Sequence, residues 1–218
     1  MVDMNKEMST KTLLGQSLLI VLVWLGWVLL MRWYPEPFAN VYLRGLVRIG
    51  ILLVPAYLFS RKSGTSWLES WYLRVNWQRG VMIGLVVSVL FLSFSYLAQS
   101  RALEIVWQLP VKVDTWFNWI IGSPFAEEAW FRAVLFGQIH RQHGLVYALL
   151  GSSLMFGLLH LPTWILLDGL STILIVQSFG NIVLYGLAFA LLFRVTGSLW
   201  ASLVPHWLNN LFVQGFLR

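Results

Sequence analysis

Two neighbouring carboxylates, Glu127 and Glu128, stand in a long apolar stretch of this sequence and are its first candidates for chemistry. They lie between Pro124 and Arg132, and the chain from residue 115 onward holds only one other acidic residue, Asp168. Ionisable groups at membrane depth are costly, so those that are present usually serve a function. The chemistry of this segment and the helices that position it are therefore the main questions.

Helical spacing predicts different partners for the two glutamates. Glu128 and Arg132 are four residues apart with the acid on the N-terminal side, the favoured orientation for a helical ion pair. Glu127 is five residues from Arg132 and points to another flank, so we expect Arg132 to neutralise Glu128 and leave Glu127 for other work. The structural alternative is a single buried cluster of all three side chains that locks two helices together.

A helix start is predicted immediately before the glutamates. Ser123-Pro124 has the pattern of an N-cap followed by proline at the first helical position. We therefore expect the span at 115–140 to be interrupted there, with Glu127 close to the new N-terminus, where the helix dipole favours an anion. A helix broken at membrane depth needs protein or a wet cavity to satisfy its backbone, so the break predicts a cavity beside Glu127.

Two of the four histidines also lie within predicted spans. His160 stands near the end of the fifth span, which Pro162 is expected to stop. His206 lies in the seventh span, four residues before Asn210, so both side chains face the same way. Each histidine alone is typical of a hydrogen-bonded core residue, and Asn209 is expected to join neighbouring helices.

A carboxylate and an imidazole together can activate water, because one accepts the proton while the other orients the water or protonates the leaving group. A second histidine beside an amide offers donors for a developing oxyanion. Peptide hydrolysis needs these two functions and no covalent nucleophile. The chain has no cysteine, and none of its serines has a recognisable nucleophile setting. The pattern therefore favours hydrolysis by water.

The composition is that of a polytopic membrane protein. The 218 residues are 58% hydrophobic and 11% charged, with a mean hydropathy of +0.72, whereas a soluble domain is about 25% charged. The absence of cysteine excludes disulfides, a thiolate nucleophile and a Cys-type zinc site. The net charge of +6 is explained by loop cations beside membrane spans, so the expected partners are the lipid bilayer and a peptide or membrane-protein substrate, and no nucleic acid.

Seven apolar stretches predict an all-α bundle of about seven transmembrane helices. They cover residues 12–31, 41–60, 81–99, 115–140, 145–161, 173–193 and 198–217. The first exceeds the core of a signal peptide and is expected to be retained. The loop cations place the N-terminus in the cytoplasm, because eight then lie inside and four outside.

Two further cations, Arg44 and Arg48, stand at the start of the second span. As like charges four residues apart they would repel each other on an exposed helix. We expect both to extend toward lipid headgroups at the membrane interface. The functional alternative is contact with a substrate or with an acidic partner.

Three motifs together resemble those of the CPBP family, the CAAX proteases and bacteriocin-processing or immunity proteins also called Abi. The motifs are Glu127-Glu128-x-x-x-Arg132, Phe156-x-x-x-His160 and His206-x-x-x-Asn210. They occur in the family's order, in separate predicted spans, over residues 115–215. This resemblance divides the chain into N-terminal spans with their loops, residues 1–114, and a CPBP-like catalytic core of four spans, residues 115–218.

The resemblance implies an intramembrane endopeptidase of the glutamate type, in a bacterial plasma membrane. Glu127 and His160 would activate water, and His206 and Asn210 would form the oxyanion site. The remaining pair, Glu128 and Arg132, would hold the geometry.

No cofactor is expected. Two histidines and two glutamates can ligate zinc, but the helix lacks an H-E-x-x-H pair, so a metal-free reaction is favoured and zinc is the alternative. Two other functions remain open. A non-catalytic immunity or membrane scaffold protein would use the cluster for structure only. A proton-coupled transporter can relay protons through glutamate and histidine, although repeated halves are absent.

Overall fold

The computed structural model describes residues 10–34, 41–62, 66–100 and 115–216, which form eight helices and no strands. This confirms the predicted all-α membrane bundle. The helices are α1 Thr10–Trp33, α2 Val41–Lys62, α3 Trp67–Ser70, α4 Trp77–Ser100, α5 at residues 116–143, α6 Leu145–Leu166, α7 Thr172–Thr196 and α8 Trp200–Phe216.

Seven of these helices lie where the sequence predicts spans, and the four-residue α3 is an addition in the loop before α4. By length and composition, three described stretches can cross a membrane: Gly15–Trp33, Leu145–Leu166 and Thr172–Thr196. The stretch Trp77–Ser93 is a shorter apolar helix. A total of seven spans therefore stays a prediction.

Helix α5 runs without a break past Ser123 and Pro124, so the predicted interruption is wrong. Ser123 has helical dihedral angles, with φ −63° and ψ −50°. The helix alternates between π-helical Trp116–Gly122, α-helical Ser123–Glu128, π-helical Ala129–Phe136 and α-helical Gly137–His143. A π-helical turn changes the hydrogen-bond spacing along the backbone, which accommodates a proline that has no N–H to donate.

Helix α6 also continues through its proline, since Pro162 lies inside the helix and does not stop it. Packing in a helical bundle compensates for the one backbone hydrogen bond that a proline removes. This helix approaches α7 through small residues. A Cβ atom on Gly157 would lie 2.8 Å from the Phe179 ring, and one on Gly186 would lie 2.9 Å from Ser153. Such close approach is typical of helix pairs in membranes.

Helix α4 packs against α8 through Gly80 and Gly84. A Cβ atom on Gly80 would lie 2.6 Å from the Ser198 hydroxyl, just before α8, and one on Gly84 would lie 3.0 Å from the Val204 side chain. Small residues thus let α4 approach α8 closely. Because α8 carries His206, this contact helps to set where that imidazole lies.

The loop before α4 fixes the turn between α7 and α8. The Asn76 amide donates to the Thr196 carbonyl at 3.0 Å, and the Trp200 indole donates to the Leu73 carbonyl at 2.9 Å. Further along α8, the Trp207 indole donates to the Ile121 carbonyl of α5 at 3.1 Å. Helix α8 is therefore tied both to this loop and to α5.

Candidate active site

Glu127 is buried, 2% exposed, on the side of α5 that faces a cavity. Its Oε1 atom accepts hydrogen bonds from the Ser123 hydroxyl at 2.7 Å and from Arg48 Nη2 at 3.2 Å. Its Oε2 atom lies 3.7 Å from His206 Nε2. One carboxylate oxygen is thus anchored by two donors, while the other stands next to an imidazole.

Glu128 lies in the packed interior and pairs with Arg132, as the helical spacing predicts. Both side chains are completely buried, and Arg132 Nε lies 3.1 Å from Glu128 Oε2. The N–H bond is not aligned with that oxygen, so charge rather than a well-formed hydrogen bond holds the pair. The guanidinium also packs over the rings of Phe156 at 4.7 Å and Phe189 at 6.0 Å, an arrangement favourable for a cation.

His206 connects the two glutamates. Its Nδ1 atom lies 2.9 Å from Glu128 Oε1. Because an ionised carboxylate only accepts hydrogen bonds, Nδ1 carries the proton of this contact. The ring stacks on Phe189 with centroids 5.3 Å apart and meets the edge of Phe156 at 5.9 Å. Hydrogen bonding and ring packing together fix the imidazole between the two acids.

His160 is held by its own helix. Its Nδ1 atom lies 2.9 Å from the Phe156 carbonyl, and because a carbonyl only accepts, Nδ1 is the donor. In the neutral ring, Nε2 is then an acceptor. Contacts with the Phe156 ring at 5.0 Å and the Trp164 ring at 5.5 Å hold the imidazole in place.

One cavity of about 210 Å³ joins these side chains. It has room for several water molecules, since each occupies about 30 Å³ in the liquid. The cavity is lined by Arg48, Glu127, Phe156, His160, Ile182, Tyr185, Phe189, His206, Asn209, Asn210 and Val213. The structure therefore brings together the four residues to which the sequence assigns catalysis, from three helices. Their individual roles stay predictions.

Asn209 also lies at the cavity, although its sequence context predicted a contact between helices. Its amide nitrogen lies 3.5 Å from Asn210 Oδ1, at the outer limit of a hydrogen bond. Asn209 thus lies next to the amide that the resemblance assigns to the oxyanion site.

Arg48 is the site residue that sequence reasoning missed. Instead of extending toward headgroups, it reaches Glu127, and its side chain is only 18% exposed. Its guanidinium carbon lies 5.5 Å from the centre of the Trp24 ring in α1. The signal in the sequence was an arginine pair at the start of a span, but the acidic partner lies 79 residues away. The side chain of Arg44 lies outside the described residues.

The side chains of the site that could ligate a metal ion are its glutamates and histidines. Within the described ranges, no group of three or more His, Cys, Asp or Glu side chains is arranged to hold a metal ion. The Arg48 guanidinium lies 3.2 Å from Glu127. A divalent cation on this carboxylate would have to compete with that positive charge.

The comparison with protein families agrees with the three motifs. Residues 109–212 match the family model described as type II CAAX prenyl endopeptidase Rce1-like. The matched range contains all seven named residues of the three motifs and ends within α8. No curated protein and no solved structure matches the chain.

The family match and the apolar helices indicate an integral membrane protein, and the matched family is one of CAAX proteases. The first three long helices, α1, α2 and α4, lie outside the matched range, and Arg48 is part of α2. Residues 109–212 of this chain are therefore similar to the CAAX-type intramembrane proteases of the CPBP family.

Proposed function

We propose that this protein hydrolyses a peptide bond of a membrane-associated protein or peptide, using water activated by Glu127 and His160. The observation that carries the proposal is that both side chains line one cavity inside the bundle. Glu127 Oε2 and the neutral His160 Nε2 are both acceptors. Each can hold one hydrogen of the same water molecule, which leaves an oxygen lone pair for attack.

The reaction then needs two proton transfers and no bond to the enzyme. The water oxygen attacks the peptide carbonyl while Glu127 takes one proton. The tetrahedral intermediate breaks at the C–N bond, and the protonated Glu127 returns that proton to the leaving amine. The products are a new carboxylic acid terminus, which loses its proton to water, and a new amine terminus.

Asn210 is the donor best suited to the oxyanion of that intermediate. Its amide NH₂ carries hydrogens at any pH, and fixed donors of this kind stabilise charge that develops in the transition state. His206 already gives its Nδ1 proton to Glu128. It can therefore donate from Nε2 only as an imidazolium, so we assign it a secondary part in oxyanion binding.

We propose that the reaction is metal-free, because the Arg48 guanidinium beside Glu127 opposes a divalent cation. We also propose a bacterial plasma membrane as the location, with the N-terminus in the cytoplasm. The excess of basic residues in alternate loops supports that orientation.

The test uses the purified full chain in lipid vesicles and a fluorogenic peptide that ends in a prenylated CAAX-type sequence. In water enriched in ¹⁸O, we expect one ¹⁸O atom in the new carboxylate and no mass added to the enzyme. Glu127→Gln, which keeps the shape but not the proton acceptor, is the control and should be inactive. An acyl-enzyme adduct would contradict the mechanism, as would full activity in Glu127→Gln. Inhibition by a chelator that zinc reverses would indicate a metallopeptidase.

A further inference from the structure

We infer that Arg48 is a positioning residue for this hydrolysis: it anchors one oxygen of Glu127 so that the other faces the reacting water. The inference rests on the proposed function and extends it to a helix outside the family match. Arg48 itself stays away from the reacting atoms and acts through the glutamate.

The geometry separates the two oxygens of Glu127. Arg48 Nη2 and the Ser123 hydroxyl both bind Oε1, at 3.2 Å and 2.7 Å. Two donors from different helices leave the carboxylate little freedom to rotate. Oε2 is thereby held on the side of His206, 3.7 Å from its Nε2 atom. The acceptor of the water proton is therefore a defined atom.

Arg48 is itself held in position. Its side chain is 18% exposed, and its guanidinium packs on the Trp24 ring at 5.5 Å. That contact adds a cation–π attraction and connects α1 to the site. The helix carrying Arg48 also packs on α5 near Gly122, where an added Cβ atom would lie 2.5 Å from the end of the Ile49 side chain. The guanidinium thus belongs to a packed arrangement.

The charges around Glu127 support the same role. Arg48 from α2, His206 from α8 and His160 from α6 face this carboxylate, and Glu128 follows it on α5. The charge of Arg132 is paired with Glu128, so Arg48 is the arginine that directly contacts Glu127. A buried carboxylate that loses its cationic partner tends to take up a proton, and a protonated Glu127 cannot act as a base.

The experiment compares Arg48→Gln, Arg48→Lys and Arg61→Gln. Arg61 is the matched control, because it is an exposed arginine near the other end of the same helix. We measure kcat and KM for the fluorogenic peptide across a range of pH. For Arg48→Gln we expect kcat to fall about 100-fold, with KM nearly unchanged. The acid limb of the kcat profile should move to higher pH by about one unit or more. Arg48→Lys should restore most of both effects, and Arg61→Gln should behave as wild type.

Three results would overturn the inference. An unchanged pH profile in Arg48→Gln would show that the anchor is not needed. A change in KM alone would make Arg48 a substrate contact. A rise in activity would show that Arg48 restrains Glu127 in a less active position.

A second measurement does not depend on turnover. Infrared difference spectra follow protonation of the Glu127 carboxyl group without substrate, with the band assigned by its loss in Glu127→Gln. In Arg48→Gln we expect that band to persist to higher pH than in wild type, and an identical titration would contradict the inference. If wild type hydrolyses nothing, the proposed function fails while this titration still tests Arg48.

Discussion

The two sides of α5 give two adjacent glutamates opposite surroundings. Glu127 faces a cavity, and its arginine comes from another helix and is 18% exposed. Glu128 faces the packed interior, and its arginine comes from the same helix and is completely buried. An acid that must exchange protons needs access to water, whereas an acid that fixes geometry does not. This difference supports the proposal that Glu127 acts in the chemistry while Glu128 holds the geometry.

Replacing each glutamate by glutamine should give the largest difference between the effects at Glu127 and at Glu128. Glu127→Gln removes the proton acceptor, so we expect turnover to fall by about 10² to 10⁴-fold with little change in thermal unfolding. Glu128→Gln leaves Arg132 buried without its charge partner, so its main effect should be on stability. Peptide turnover and thermal unfolding in the same detergent measure both. An equal loss of stability in the two variants would contradict different roles for Glu127 and Glu128.

Arg132→Ala tests the buried ion pair between Arg132 and Glu128. Breaking a buried ion pair typically destabilises a protein by about 3–5 kcal/mol, so we expect less folded protein as well as less activity. The fraction that elutes as a single species in size-exclusion chromatography reports the folded amount. If Arg132→Ala folds normally and loses only activity, Arg132 acts in the chemistry itself.

Ser123→Ala should have the smallest effect, and it tests the hydrogen bond that holds Glu127. It removes one of the two donors to Glu127 Oε1, a hydrogen bond of 2.7 Å to a charged acceptor. Such a bond contributes about 1.5–3 kcal/mol, but Arg48 still holds the same oxygen, so we expect kcat to fall about tenfold. Ser152→Ala is the control, because that buried hydroxyl binds the Ala148 carbonyl of its own helix. A loss in Ser123→Ala as large as in Glu127→Gln would make Ser123 a direct participant.

Features set by local spacing could be predicted from the sequence. Apolar stretches gave the places of seven helices, and the four-residue interval gave the Glu128–Arg132 pair. Local patterns gave wrong predictions at two prolines, Pro124 and Pro162, where the helices continue. An isolated Ser123-Pro124 indicates a helix start, but π-helical turns on both sides carry the helix through it.

Contacts between distant parts of the chain were not predictable. Arg48 and Glu127 are 79 residues apart, and His206 and Glu128 are 78 apart. Both pairs depend on how helices pack, which no local pattern encodes. A cation at the start of a span usually extends to lipid headgroups. Here the packing of α2 against α5 brings Arg48 to the Glu127 carboxylate instead.

The close contact between α4 and the start of α8 has a genetic consequence. An alanine at Gly80 would place its methyl carbon 2.6 Å from the Ser198 hydroxyl and 2.8 Å from its Cβ atom, so α8 would have to shift, and His206 with it. Replacing Ser198 by glycine removes both of those atoms. We therefore expect Gly80→Ala and Ser198→Gly to form an intragenic suppressor pair, in which the second mutation relieves the first. Selection on this protein should then act on the two positions jointly, although 118 residues separate them.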